Sequence, residues 1–272
     1  VQTLPSGAKG PQPSHAGTSG KINHRNPHAG WSFVVTLLGV LFMPDGAQAI
    51  IGGQEAPNMR PHLVMIVSDR GSLCSGVVIE RRTILTAAHC VFGQGSYRLH
   101  WRDGQGQAVL AEPARITLHP DFHADAAKTR QRSIDLAVIT SKEDLPASFV
   151  PAPLVQAKTE PPAKGMALTL AGYGLAQERD PNSAGVLKSV TLPVIMPYGQ
   201  GRIIVWLGNQ KDGACSGDSG GGIFTAEGQL LAITVWSEGQ GKNLCGALTQ
   251  GLLIAPQHAW ITKQLERHRA NP

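Results

Sequence analysis

Short apolar runs recur along this chain between stretches rich in turn residues. Val77-Val78-Ile79, Ile84-Leu85-Thr86, Leu136 to Thr140, Met166 to Leu170, Ile203 to Leu207 and Leu230 to Trp236 are the clearest. Runs of this length, with turn residues between them, predict β-strands. A helical stripe is persuasive in one place only, about Pro256 to Arg267. There Trp260, Ile261 and Leu265 share a face, and a proline near the start is tolerated because the first turn lacks N–H partners anyway. One run has a different character. Trp31 to Met43 follows Lys21 and Arg25 and leads into Pro44-Asp45-Gly46 and Ala47-Gln48-Ala49. A charged region, an apolar stretch and an A-x-A site predict a signal peptide. A buried strand or an anchor is the other reading. The run is too short for a comfortable bilayer span, so no stable membrane span is expected after cleavage. Residues 1–20 are rich in Gly, Pro and Ser without periodicity, which predicts disorder. Residues 1–49 are therefore expected to be a disordered leader plus a signal peptide, and 50–272 the fold.

Composition agrees with an all-β reading. The 272 residues include 32 Gly and 19 Pro, and this length accommodates one large or two small domains. The net charge of +5 comes from basic residues that are scattered, not gathered on one face, so no nucleic-acid partner is expected. Four cysteines allow three pairings, and spacing alone does not choose among them. Export favours disulfides over free thiols or a metal site. The run His119-Pro120-Asp121-Phe122-His123-Ala124-Asp125 holds ligand-type side chains, but a proline-containing loop does not present them convergently. No metal and no cofactor are expected.

The chemistry concentrates in Gly217-Asp218-Ser219-Gly220-Gly221. Glycines beside a serine let the backbone turn tightly and approach a substrate carbonyl. Serine needs a base within reach, itself oriented by a third group. Both candidates lie upstream: His89 in Thr86-Ala87-Ala88-His89-Cys90, and Asp135 in Asp135-Leu136-Ala137-Val138. The G-x-S-x-G pattern also describes the nucleophile elbow of α/β-hydrolases, where acid and histidine follow the serine. No aspartate follows Ser219, and too little chain remains for a doubly wound sheet. The His-Asp-Ser order fits the other arrangement.

From about Ile50 to the C-terminus the chain resembles the trypsin/chymotrypsin family of serine proteases. The resemblance rests on Ile50-Ile51-Gly52-Gly53, the histidine and aspartate motifs, Ala171-Gly172-Tyr173-Gly174 and the serine motif, in the family's order. It implies two antiparallel six-stranded β-barrels with a boundary near 155–165, a C-terminal helix, and a site in the cleft between the barrels. It implies a His89-Asp135-Ser219 triad, an oxyanion hole from the N–H groups of Gly217 and Ser219, and an ion pair between the Ile50 α-ammonium and Asp218. It pairs Cys74 with Cys90 and Cys215 with Cys245. The missing cysteines of several mammalian disulfides fit a bacterial or minimal member.

The specificity pocket departs from trypsin. Gly213 takes the place of the basal aspartate, and Asp212 lies one residue earlier. Trp236, Ser237 and Gly251 are the expected walls. An uncharged, slightly narrowed pocket implies small or medium apolar residues on the acyl side of the cut bond, with Asp212 as the source of a competing basic preference. Val235 replaces a serine that usually bonds the triad aspartate, and Gly222 replaces a proline. The expected protein is a monomeric endopeptidase acting on proteins or peptides, secreted or periplasmic. The competing readings are a non-catalytic binding module on the same scaffold and an esterase using the same triad.

Overall fold

The computed structural model describes residues 50–129, 131–196 and 203–270; the leader and signal peptide expected in 1–49 lie outside them. The elements in chain order are β1 (Gln54–Glu55), β2 (Leu63–Ser68), β3 (Leu73–Glu80), β4 (Thr83–Thr86), β5 (Tyr97–Arg102), β6 (Ala108–Ala111), β7 (Pro113–Leu118), α1 (Ala126–Thr129) and β8 (Ala137–Ser141). Then follow β9 (Ala167–Gly172), β10 (Lys188–Met196), β11 (Ile204–Leu207), β12 (Gly222–Phe224), β13 (Leu230–Glu238), β14 (Leu248–Leu253) and α2 (His258–Ala270). The strands form two antiparallel sheets. The first runs β6-β5-β2-β3-β4-β8-β7. Its two edge strands are consecutive in sequence and separated only by Glu112, so the sheet curls round on itself. It counts seven strands, not six, because this one segment is broken at Glu112. In the second sheet β9 pairs with both β12 and β10, which closes a six-stranded barrel, with β1 added to β10. The boundary expected near 155–165 falls in the connection between β8 and β9.

The alternation of side chains explains the continuous apolar runs. On β4, Ile84 faces one buried cluster and Leu85 the other; on β8, Ala137 and Ile139 face the first and Val138 the second, as does Leu136 just before the strand. The first cluster fills the first sheet, with Val64, Ile66, Val78 and Leu99. The second joins Leu63, Val77, Leu85 and Val138 to Leu168, Leu170, Phe224 and Ile233 of the closed barrel. Strands buried on both faces show no polar alternation, whatever their direction. The shared cluster fixes one sheet against the other, and the cleft opens above it.

Helix α2 starts after a 3₁₀ turn, Ala255–Gln257, with Pro256 in its first turn. It buries Ile261, packs Trp260 and Leu265 against the core, and stacks Trp260 on His119 with ring centroids 4.7 Å apart. His268 meets the Thr140 hydroxyl at 2.9 Å. The helix thus binds the end of the chain back to the first sheet.

Candidate active site

His89 sits in a one-turn 3₁₀ helix, Ala88–Cys90, directly after β4. The Cys74–Cys90 disulfide ties that turn to β3. Asp135 stands just before β8, which pairs with β4. Adjacent strands therefore bring the two side chains together. Asp135 Oδ2 lies 2.6 Å from His89 Nδ1, and Oδ1 accepts the His89 backbone N–H at 2.9 Å. A carboxylate only accepts, so Nδ1 carries the proton and Nε2 is left to act as a base. Val235, on the wall of the same groove, has no hydroxyl to offer Asp135.

Ser219 lies beside this pair. The Cys90 sulfur is 3.8 Å from His89 Nε2 and 3.6 Å from the Ser219 carbonyl oxygen, touching both. The backbone of Ser219 is anchored by the Ser75 N–H, which donates to its carbonyl at 2.8 Å. Gly217 and Gly220 have φ of +96° and +82°, left-handed values that favour glycine. At Gly220 a Cβ would lie 2.1 Å from the Ser75 carbonyl oxygen, so no larger residue fits. Among the described residues, neither the Gly217 N–H nor the Ser219 N–H donates to a protein acceptor. Two unspent donors flanking a serine are what a developing oxyanion requires.

Asp218 is fully buried and turned away from the cleft. Its carboxylate accepts the Gly174 N–H at 2.8 Å and the Cys215 N–H at 2.9 Å. Burial pushes its pKa up to about 7, against the opposing pull of those two donors. The Gly172-Tyr173-Gly174 turn wraps this group. A Cβ on Gly172 would approach Asp218 to 2.5 Å, and one on Gly174 would do the same. Ile50 is also wholly buried, and Ile51 exchanges two 3.1 Å backbone hydrogen bonds with Gly213. The start of the fold thus lies along the segment that carries Asp218. Ile50 itself has φ of +54°, a costly conformation for a β-branched residue.

Thr249, which no sequence motif marks, packs against Gly213, the expected pocket base. Thr249 accepts the Ala214 N–H at 2.9 Å, and its hydroxyl lies 2.9 Å from where a Cβ on Gly213 would stand. Ser237 pairs with Thr249 across β13 and β14. Gly251 faces elsewhere: a Cβ there would meet Ile223, Val205 and Ala232 in the barrel interior. Asp212 also points away. It accepts from the Asn209 side chain at 2.7 Å and packs on Gly52. The Cys215–Cys245 disulfide joins the two walls. Ser216, Ser237 and Cys245, together with Leu244 and the charged Glu178, Arg179 and Lys242, line a cavity of about 420 Å³. A groove of about 530 Å³ runs from His89 and Asp135 past Val235 and Trp236 to Arg132. Trp236 stands edge-to-face with Trp206, centroids 5.7 Å apart.

The histidine-rich run is structural in its first half: His119 Nδ1 accepts the Asp121 N–H at 3.2 Å, and its ring stacks on Trp260. Among the described residues, the one group of metal-type ligands that converges is Cys74, His89 and Cys90, and its two sulfurs are bonded to each other.

The family model described as Trypsin matches residues 50–252. Trypsin eta of Drosophila erecta is 27% identical over 231 residues, covering 76% of this chain and 86% of its own. Granzyme M of Rattus norvegicus is 27% identical over 248 residues, covering 82% and 92%. Among solved structures, neuropsin, a serine protease of mouse brain, superposes with a TM-score of 0.65 at 23% identity, over 79% of this chain and all of that one, a likeness of fold. The match across nearly all of the described chain places it: the chain belongs to the trypsin family of serine endopeptidases.

Proposed function

We propose that this chain is an exported endopeptidase that cuts peptide bonds after small or medium apolar residues through His89, Asp135 and Ser219. The observation that carries the reading is the doubly bonded Asp135–His89 pair with Ser219 beside it. Ser219 Oγ attacks the scissile carbonyl while His89 Nε2 takes its proton. The imidazolium then gives that proton to the leaving amine, and water repeats the sequence to release the acyl group. Asp135 holds the tautomer and balances the imidazolium charge. The N–H groups of Gly217 and Ser219 receive the oxyanion. Each such donor is worth roughly 3–4 kcal/mol in the transition state.

Thr249, whose hydroxyl stands close to where a Cβ on Gly213 would lie, and its strand neighbour Ser237 support a pocket base that carries no charged group. At that base an arginine or lysine side chain meets no free carboxylate, because Asp212 is engaged by Asn209; Glu178, which lines the same cavity, accepts the Leu244 N–H and stands with two cations, Arg179 and Lys242.

Activation follows from the same segment. Cleavage after Ala49 serves export and frees the Ile50 amine, which pairs with Asp218 and orders the oxyanion loop. Three features support this: the buried Asp218 carboxylate, with no cation paired to it among the described residues, the Ile51–Gly213 pairing, and the left-handed Ile50. Cutting the preceding bond removes the φ torsion and with it the strain. Digestion of a defined peptide library tests the function. Cleavage after Ala, Val or Leu supports a peptidase; turnover of simple esters alone supports an esterase; no turnover with retained binding supports a non-catalytic module.

A further inference from the structure

Ser75 is fully buried and follows Cys74 directly on β3. Its hydroxyl accepts the Tyr173 N–H at 2.9 Å and donates to the Gly217 carbonyl at 2.9 Å. Its N–H donates to the Ser219 carbonyl at 2.8 Å. Its own carbonyl accepts from Oγ1 of Thr86, the last residue of β4 and three residues ahead of His89, at 2.8 Å. One serine therefore grips the serine loop at two carbonyls, two residues apart, while also holding the turn whose glycines wrap Asp218. A hydroxyl has one proton to give and accepts alongside it, so the Tyr173–Ser75–Gly217 chain is fully satisfied. Holding the Gly217 and Ser219 carbonyls holds the Gly217–Asp218 and Ser219–Gly220 peptide planes; these flank the plane that carries the Ser219 N–H on both sides and adjoin the one that carries the Gly217 N–H, and so limit how either donor can turn.

We propose that Ser75 is a positioning residue whose hydroxyl sets the oxyanion hole and couples it to the Asp218 cradle. The proposal rests on the reading of Gly217 and Ser219 as that hole. Without the hydroxyl, the Gly217 carbonyl loses its one described partner and the loop can rotate. The substrate still binds, because Ser75 does not line the groove or the pocket. The loss is specific to the step in which charge develops.

The test compares Ser75→Ala and Ser75→Gly with the wild-type enzyme, using rates per Ser219 titrated to completion by a peptide phosphonate, so an unfolded fraction does not enter. Both variants are expected to lose about 10- to 100-fold in kcat with KM within about threefold, as for a misdirected donor. A peptide boronate, which forms a tetrahedral anionic adduct, is expected to bind more weakly by a similar factor. Wild-type kcat in either variant, or a loss confined to KM, overturns the proposal. Ser219→Ala separates the levels: it keeps the backbone N–H groups and removes the nucleophile, so if it stays active the proposed function on which this inference rests fails; if it is inactive while Ser75→Ala is unchanged, only the role of Ser75 fails.

Discussion

Asp135 holds His89 at two points, the ring Nδ1 at 2.6 Å and the backbone N–H at 2.9 Å. The second contact fixes the turn and the first fixes the ring, so the imidazole is oriented without the serine hydroxyl that Val235 has displaced. Asp135→Asn keeps the shape but presents an N–H donor to Nδ1 and reverses the tautomer. The expected loss is about 10⁴-fold in kcat. The reading fails if the variant, with unchanged circular dichroism, retains more than a tenth of the activity.

Gly174 leaves no room for a side chain. A Cβ there would lie 2.5 Å from both the Cγ and the backbone nitrogen of Asp218. The loop cannot yield without releasing the carboxylate. Gly174→Ala is expected to lower Tm by about 2–10 °C, from an overpacking cost of about 1–3 kcal/mol, and to abolish most activity. Calorimetry with a peptide assay checks both parts, and normal activity at an unchanged Tm would refute this packing account.

For specificity, Thr249→Gly should deepen the pocket and move the preference toward larger apolar residues. The rate after Phe relative to Ala should rise by about 10-fold or more, a few methylenes' worth of burial. Asp212→Asn should leave the ranking of substrates unchanged, since its carboxylate is bonded to Asn209 and lies on Gly52. A fall in cleavage after Arg in that variant would put Asp212 in the pocket after all.

Asp218 carries a pH signature. Its pKa of about 7 in the uncut chain lies above the ordinary carboxylate value of 3.8. Between those values the folded state binds a proton that the unfolded state has released. Stability of the uncut chain therefore falls as pH rises from about 4 to about 7. A variant beginning at Ile50 gains an ammonium beside the carboxylate, its pKa drops, and this loss disappears. Urea unfolding of both forms across that range measures the difference. One extra alanine before Ile50 should restore the uncut behaviour and poor hydrolysis; full activity of that variant would exclude the activation scheme.

Much of this was legible in the chain. The motifs expected to carry the triad lie in strongly constrained local structure: a turn after β4, the entry to β8, and a loop whose crowding demands glycines. Both disulfides formed as the family resemblance implied. The strands buried on both faces announced themselves as unbroken apolar runs, whereas Tyr97–Arg102 and Ala108–Ala111 did not, being partly exposed. Thr249 escaped because the resemblance placed the expected wall at Gly251, two residues further along β14, where a Cβ would meet the barrel interior. Ser75 escaped because its partners lie 98 and 142 residues away, and no local pattern encodes them.

The central claim is that Ser219 is the nucleophile, activated by His89. Intact-protein and peptide mass spectrometry after exposure to a peptide phosphonate, run beside hydrolysis of the matching peptide substrate, tests it most directly. The account predicts one adduct, on Ser219, with loss of hydrolysis in step with labelling. It predicts slow labelling in His89→Ala, and neither labelling nor hydrolysis in Ser219→Ala. An adduct on another residue, or undiminished hydrolysis by Ser219→Ala, would contradict it.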